Sequence, residues 1–194
     1  DIEKEINAYL EFDPDVFRNK TILLPCDDPE WSNFTKYFAI NFQRLGLKKL
    51  ISTSYAPNKK KQRLVLQPTL FETDDPKFDL SKSDMCGKIF QLTSDSNKDG
   101  KIDADDLEWE YLEGDGDFRS SEVTLLRNEA DLIITNPPFS LFREFIAWIT
   151  ERDKKFLLIG NLNSITYKEV FPLIKDNKLW VGVTNFNTGM YFKV

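Results

Sequence analysis

No histidine occurs in the 194 residues. Its absence removes imidazole general-base chemistry, Ser-His and Cys-His nucleophile pairs and His-containing zinc sites together. Only two cysteines, Cys26 and Cys86, are present, and their spacing matches no metal motif. Without a secretory signature they are expected to be reduced thiols. Glycine is scarce, at eight residues, and no G-x-G-x-x-G exists to cradle a phosphate. No apolar run approaches the roughly 18 to 20 residues that cross a bilayer. The start, Asp1-Ile2-Glu3-Lys4-Glu5, has neither the basic nor the apolar region of a signal peptide. A cytoplasmic protein without membrane contact is expected. The net charge of −6 excludes a surface built throughout to coat phosphates. A local basic patch is still open, and Lys59-Lys60-Lys61-Gln62-Arg63 is such a run, although most such runs are solvated loops.

The 41% hydrophobic and 13% aromatic content can bury one substantial core, so residues 1–194 are expected to form a single domain. Ile2 to Phe12 has the spacing of an amphipathic helix. Thr21 to Pro25 is a compact apolar run closed by proline, the pattern of a buried parallel strand. A helix is expected from Ser32-Asn33 to Leu45-Gly46, and a second strand over Leu50 to Ser54. The middle of the chain is less regular, with short strands at Leu64 to Leu66 and Lys88 to Leu92. Alternation then resumes with strand Asp131 to Thr135, helix Leu141 to Thr150, strand Phe156 to Gly160, helix Tyr167 to Ile174 and strand Leu179 to Val183. Met190 to Val194 is placed to pair back on that last strand. Strands alternating with helices predict a doubly wound, mostly parallel, Rossmann-like sheet whose ligands sit beyond the carboxyl ends of its strands.

Just past one such end stands Asn136-Pro137-Pro138-Phe139. Each proline fixes its own φ and keeps the preceding residue out of the helical region, so the pair makes a stiff, extended corner. A corner of this kind holds the Asn136 side chain and the Pro137 carbonyl outward. Two oxygen acceptors, one for each N–H, suit an aromatic amine, whose lone pair is delocalised into its ring and must be drawn out toward an electrophile. With an activated methyl donor no strong base is needed, because orientation and electrostatics supply the catalysis. Phe139 would stack on a base rotated out of its duplex. Taken alone, the four residues also fit a plain strand-to-helix turn with Asn136 as a local cap.

The sequence resembles the EcoRI-type adenine-specific DNA methyltransferases. The likeness rests on Cys26-Asp27-Asp28-Pro29-Glu30-Trp31-Ser32-Asn33-Phe34, Gly114 to Ser120, Asn136 to Glu144, and Ile159-Gly160-Asn161 leading to Ile165-Thr166-Tyr167-Lys168. It implies a methyltransferase that uses S-adenosylmethionine to methylate the exocyclic amine of adenine in double-stranded DNA, by base flipping and direct transfer. It also implies a cognate restriction endonuclease system as context. By the same resemblance Asn136, Pro137, Pro138 and Phe139 are the catalytic turn, and Cys26, Asp27 and Asp28 line the cofactor pocket with a carboxylate near the sulfonium or amino group. Asp117 and Phe118 correspond to the pair that accepts from the cofactor adenine's amine and covers its ring. The start at Asp1 and the end near a late strand lead to the expectation of a fragment lacking a target-recognition region. Two alternatives stay open: methylation of RNA or of a protein glutamine amide, and a non-catalytic, calcium-stabilised interaction module.

The last alternative rests on residues 95–106, which follow the twelve-residue calcium loop. Asp95, Asn97 and Asp99 supply oxygens at the first, third and fifth places, Gly100 follows, Lys101 stands seventh and Asp106 closes at the twelfth. Aspartate at that place is shorter than the usual glutamate. The segment reads equally as an inserted EF-hand-like calcium site and as a solvated acidic turn.

Overall fold

In the computed structural model the described residues are 2–28, 32–56, 76–83 and 85–183. The basic run Lys59 to Arg63, the strand expected at Leu64 to Leu66 and the terminal Met190 to Val194 lie outside them.

The described chain is a mixed α/β structure around one six-stranded sheet. Its strands are β1 (Thr21–Pro25), β2 (Lys49–Thr53), β3 (Lys88–Leu92), β4 (Glu108–Tyr111), β5 (Leu132–Thr135) and β6 (Lys155–Leu158), in the spatial order β4-β3-β2-β1-β5-β6. β1 pairs parallel with both β2 and β5, and β5 pairs parallel with β6. β3 runs antiparallel to both of its neighbours. The sheet is thus mostly parallel, as the sequence predicts.

Helices cover both faces. On one, α1 (Ile2–Phe12), α2 (Asn33–Ile40) and α3 (Phe42–Leu45) pack Ile6, Phe34, Phe38 and Phe42 against Ile22, Leu24 and Leu50. On the other, α5 (Ser121–Glu129) and α6 (Phe142–Thr150) pack Val123, Phe145, Trp148 and Ile149 against Leu23, Ile51 and Ile133. Consecutive residues of β1 go to opposite clusters, which is why its five positions are all buried and read as one apolar run. Two short helices, α4 (Leu80–Ser83) and α7 (Phe171–Lys175), complete the set among the described residues. No helix among the described residues is long and apolar enough to cross a membrane.

Local chemistry explains where the structure departs from expectation. The helix expected from Asn33 to Leu45 is broken at Asn41, whose side-chain amide donates to the Tyr37 carbonyl at 2.8 Å and competes with the backbone there. Gly46, at φ 62°, ends α3 in the left-handed conformation. The helix expected from Tyr167 to Ile174 is replaced by a 3-10 segment, Leu162–Thr166, and by α7, which starts at Phe171 because Pro172 suits a first helical turn. Leu179 to Val183 is not a strand. Trp180 donates its indole N–H to Asn177 at 2.7 Å and the Val183 N–H goes to Glu5 at 3.1 Å, so the segment is tied to its own turn and to α1 rather than to β6. Elements not anticipated are the edge strand β4, which is half charged (Glu-Trp-Glu-Tyr), α5, which buries only Val123 and Arg127, and the short α4.

The chain begins in the middle of the sheet, runs to the β4 edge, and returns to lay β5 on the other side of β1. Strand order therefore reverses between β1 and β5. In an open α/β sheet the crevice at the carboxyl ends of such a pair is where ligands bind.

Candidate active site

Beyond β1, Cys26 takes a left-handed conformation at φ 72°, which turns the chain sharply out of the sheet and into Asp27 and Asp28. Asp27 is buried, at 5% exposure. One of its carboxylate oxygens accepts from Ser32 Oγ at 2.8 Å, and the other from Thr135 Oγ1 and from the backbone N–H of Asn136, the latter at 3.3 Å. Its carbonyl accepts from Thr35 Oγ1 at 3.2 Å and from Ser52 Oγ. Burial pushes the Asp27 carboxyl up to about 6 against the pull of these hydrogen bonds. The same burial, with the charges of Asp27 and Asp117 nearby, pushes the Cys26 thiol up to about 12. That thiol is therefore neutral and no nucleophile. Asp28 is half-buried, and its carbonyl accepts from the Ser32 N–H at 2.7 Å. Pro29, Glu30 and Trp31 lie outside the described residues.

Beyond β5, Asn136 is exposed, Pro137 is buried and Pro138 is extended at φ −62°, ψ 119°. The extended backbone is the stiff corner expected from two consecutive prolines; it leaves Asn136 exposed, while Pro137 itself is buried. Phe139 opens a 3-10 turn, Phe139–Leu141, that leads into α6, and its ring is 58% exposed. A large aromatic ring left in solvent beside the Asn136 corner is free to meet a planar partner.

The third wall is the loop Gly114 to Phe118. Gly116 adopts φ 81°, and a Cβ there would come within 2.1 Å of the Ser54 carbonyl. A Cβ on Gly87 would meet that same oxygen at 2.6 Å. These two glycines let the loop lie against the end of β2, where the Ala56 N–H donates to the Asp115 carbonyl at 2.8 Å. Asp117 is held by Arg119 through contacts of 2.6 and 2.9 Å, and Arg119 also reaches Glu144 on α6 at 2.8 Å. Arg119 draws the Asp117 carboxyl below its ordinary range. Phe118 is in the core rather than in the crevice: it is 2% exposed, with its ring 4.9 Å from Phe145 and 5.5 Å from Trp148. As it stands it offers no open face to a cofactor ring. Thr53 Oγ1, at the carboxyl end of β2, is buried and has no hydrogen-bond partner among the described residues.

The structure thus brings Cys26, Asp27, Asp117 and the Asn136 corner to one end of the sheet. It leaves out residues 95–106. Because β3 is antiparallel to β2, with Leu92 opposite Leu50, the connection from β3 to β4 leaves from the opposite end of the sheet. There Asp106 accepts from the Ser96, Asn97 and Asp103 N–H groups, and Asp95 from those of Asp99 and Gly100. Among the described residues no group of three or more acidic or cysteine side chains is arranged to hold a metal. Asp95, Asn97, Asp99, Lys101 and Asp106 form a self-bonded turn here. The residues the sequence reading did not single out are Thr135, Ser32, Thr53 and Arg119. Thr135 adjoins Asn136 and Ser32 caps α2, but nothing in their spacing pairs either with Asp27.

The family model for the adenine-specific methyltransferase EcoRI matches residues 1–194. The chain is 45% identical over 183 residues to the Type II methyltransferase M.EcoRI of Escherichia coli, covering 94% of this chain and 49% of that protein. It is 32% identical over 194 residues to the Type II methyltransferase M.MpnI of Mycoplasma pneumoniae, covering 100% of this chain and 48% of that protein. With the Type II methyltransferase M.MgeORF184P of Mycoplasma genitalium it shares 34% over 194 residues, again 100% of this chain and 48% of the other. The chain spans about half the length of these relatives. No solved structure matches it.

Proposed function

The chain belongs to the adenine-specific methyltransferase EcoRI family, and on that premise we propose that it is the catalytic core of an enzyme that methylates the exocyclic amine of adenine in double-stranded DNA. The observation that carries this reading is the exposed Asn136, set on a proline-fixed corner at the point where strand order reverses. The finer fold follows from the same premise: the sheet is the doubly wound, Rossmann-like form of S-adenosylmethionine-dependent methyltransferases. A cognate restriction endonuclease is the biological context this family membership suggests.

The crevice suits the cofactor. Thr53 Oγ1, at the end of β2 opposite Pro25, is a buried polar atom without a partner among the described residues, and Asp117 is a partly exposed carboxylate near Cys26. Polar groups of this kind fit a ligand rich in hydroxyl and amino groups and free of phosphate. Cys26, Asp28, Thr53 and Asp117 would hold it, with Phe118 supporting the loop from beneath. When bound, S-adenosylmethionine supplies a methyl group already activated on a sulfonium.

The chain's own residues do the rest. Phe139 stacks on the flipped adenine, a contact worth about 1–3 kcal/mol for comparable base-stacking aromatics. Asn136 Oδ1 and the Pro137 carbonyl each accept one N–H of the amine, which turns the nitrogen lone pair toward the methyl. The proton shed after transfer leaves from the exposed Asn136 side to water. No imidazole is needed, and none is available in this chain.

Titration with S-adenosylhomocysteine, followed by methyl transfer to matched DNA and RNA duplexes, tests the proposal. Binding of the product together with transfer to DNA is expected. Transfer to RNA alone, or no binding, would refute it.

A further inference from the structure

A buried carboxylate is costly unless donors surround it. Asp27 is 5% exposed, and among the described residues no lysine or arginine is within ion-pair distance of it. Its partners are neutral, and each is fixed in the backbone frame. Ser32 Oγ donates to it while accepting from Phe34 N–H at 3.1 Å and Thr35 N–H at 3.3 Å, so Asp27 is tied to the start of α2. Thr135 is the last residue of β5, and Asn136 N–H is the first donor beyond it. Both carboxylate oxygens are thus used within the protein, and Asp27's carbonyl is held by Thr35 and Ser52. Three of its roughly four acceptor sites are used in this way, and at 5% exposure the carboxylate has little surface left to offer a ligand.

We propose that Asp27 is a positioning residue for methyl transfer: it spans the β1 and β5 strand ends, grips the Asn136 N–H and the Thr135 hydroxyl, and so fixes the acceptor corner without touching cofactor or base. This replaces the expectation that Asp27 lines the cofactor pocket, and it rests on the adenine-amine reading above. The elevation of its carboxyl to about 6 still leaves it ionised at neutral pH, the form that accepts all three hydrogen bonds.

The test uses the protein as it occurs, with two readouts: S-adenosylhomocysteine affinity by calorimetry and single-turnover methylation of adenine in duplex DNA. In Asp27→Asn the volume is kept but one acceptor becomes a donor facing other donors. Turnover is expected to fall roughly ten- to hundredfold, the scale of hydrogen bonds to a charged acceptor, while product affinity changes by less than about threefold. Thr135→Val should behave the same way, Thr135→Ser should restore turnover, and the Asp27→Asn/Thr135→Val double variant should be no worse than the poorer single one. If Asp27→Asn does not fold, the Thr135→Val and Thr135→Ser pair carries the test. Turnover unchanged in these variants overturns the inference, as does a loss of product affinity equal to the loss of turnover, which would make Asp27 a cofactor ligand. A wild type that binds the product yet methylates no adenine overturns the functional reading itself, and the inference with it.

Discussion

The Asp27 carboxylate accepts the backbone N–H of Asn136 at 3.3 Å, joining the ends of two neighbouring parallel strands 109 residues apart in sequence. The turn that follows β5 is thereby set by the turn that follows β1. A corner anchored on one side by Asp27 and stiffened on the other by two prolines has little freedom to rotate, which an acceptor pair for a planar amine requires.

Removing the side-chain acceptor should separate binding from chemistry. Asn136→Ala is expected to keep S-adenosylhomocysteine affinity and to lose methyl transfer by about two orders of magnitude or more, the cost of one preorganised polar group. Single-turnover kinetics beside calorimetry measure both. Undiminished transfer would remove Asn136 from the mechanism.

Phe139 is large, apolar and 58% exposed, so truncating it should cost little stability. Phe139→Ala is expected to leave the unfolding midpoint nearly unchanged and to weaken capture of the extruded base by roughly tenfold or more. A 2-aminopurine placed at the target position reports flipping by fluorescence. Normal fluorescence enhancement in the variant would show that the ring has another use.

Asp27 should leave a signature in the pH dependence of stability. Its carboxyl rises from an ordinary 3.8 to about 6 on folding, so the native state binds that proton more tightly than the unfolded chain. The stabilisation is complete below about 4 and is lost as pH climbs through about 6, a span of about 3 kcal/mol. The neighbouring Cys26 thiol, pushed up to about 12, stays neutral over that range. The stability of wild type relative to Asp27→Asn should therefore fall between those pH values and be level above them, as followed by urea midpoints. A constant difference across the range would mean that Asp27 does not titrate as its burial demands.

Gly116 is the tightest point of the third wall, at φ 81° with the Ser54 carbonyl 2.1 Å from where a Cβ would stand. Gly116→Ala should destabilise the fold by about 1–3 kcal/mol and displace the loop that carries Asp117, weakening S-adenosylhomocysteine binding in parallel. Urea unfolding and calorimetry follow the two effects. A variant as stable as wild type would show that the loop is not strapped to β2.

The parts of this fold that could be read in the sequence are those where one residue type has one physical use. Thr21 to Pro25 and Lys88 to Leu92 are strands at the expected residues because short, mostly buried apolar runs of this length have little other use in the fold. The Asn136 corner is where the prolines require it. What escaped was set by long-range pairing. β4 does alternate charged and aromatic residues, but over only four positions, and becomes a strand by pairing with β3, while α5 packs mainly through Val123 and the buried Arg127 and shows no strong period. In the site, Phe118 looked like a ring for a ligand, but Phe145 and Trp148, from a helix more than twenty residues on, enclose it. The partnership of Asp27 with Thr135 spans 108 residues and has no local signal.

The most direct test of the central claim is the chemical identity of the methylated product. Duplex DNA incubated with the protein and isotopically labelled S-adenosylmethionine is digested to nucleosides and separated by mass spectrometry. The label is expected in deoxyadenosine methylated on its exocyclic amine, and to vanish from it in Asn136→Ala. Label on a ring carbon or on cytosine, or label on adenine that survives in Asn136→Ala, would contradict the account.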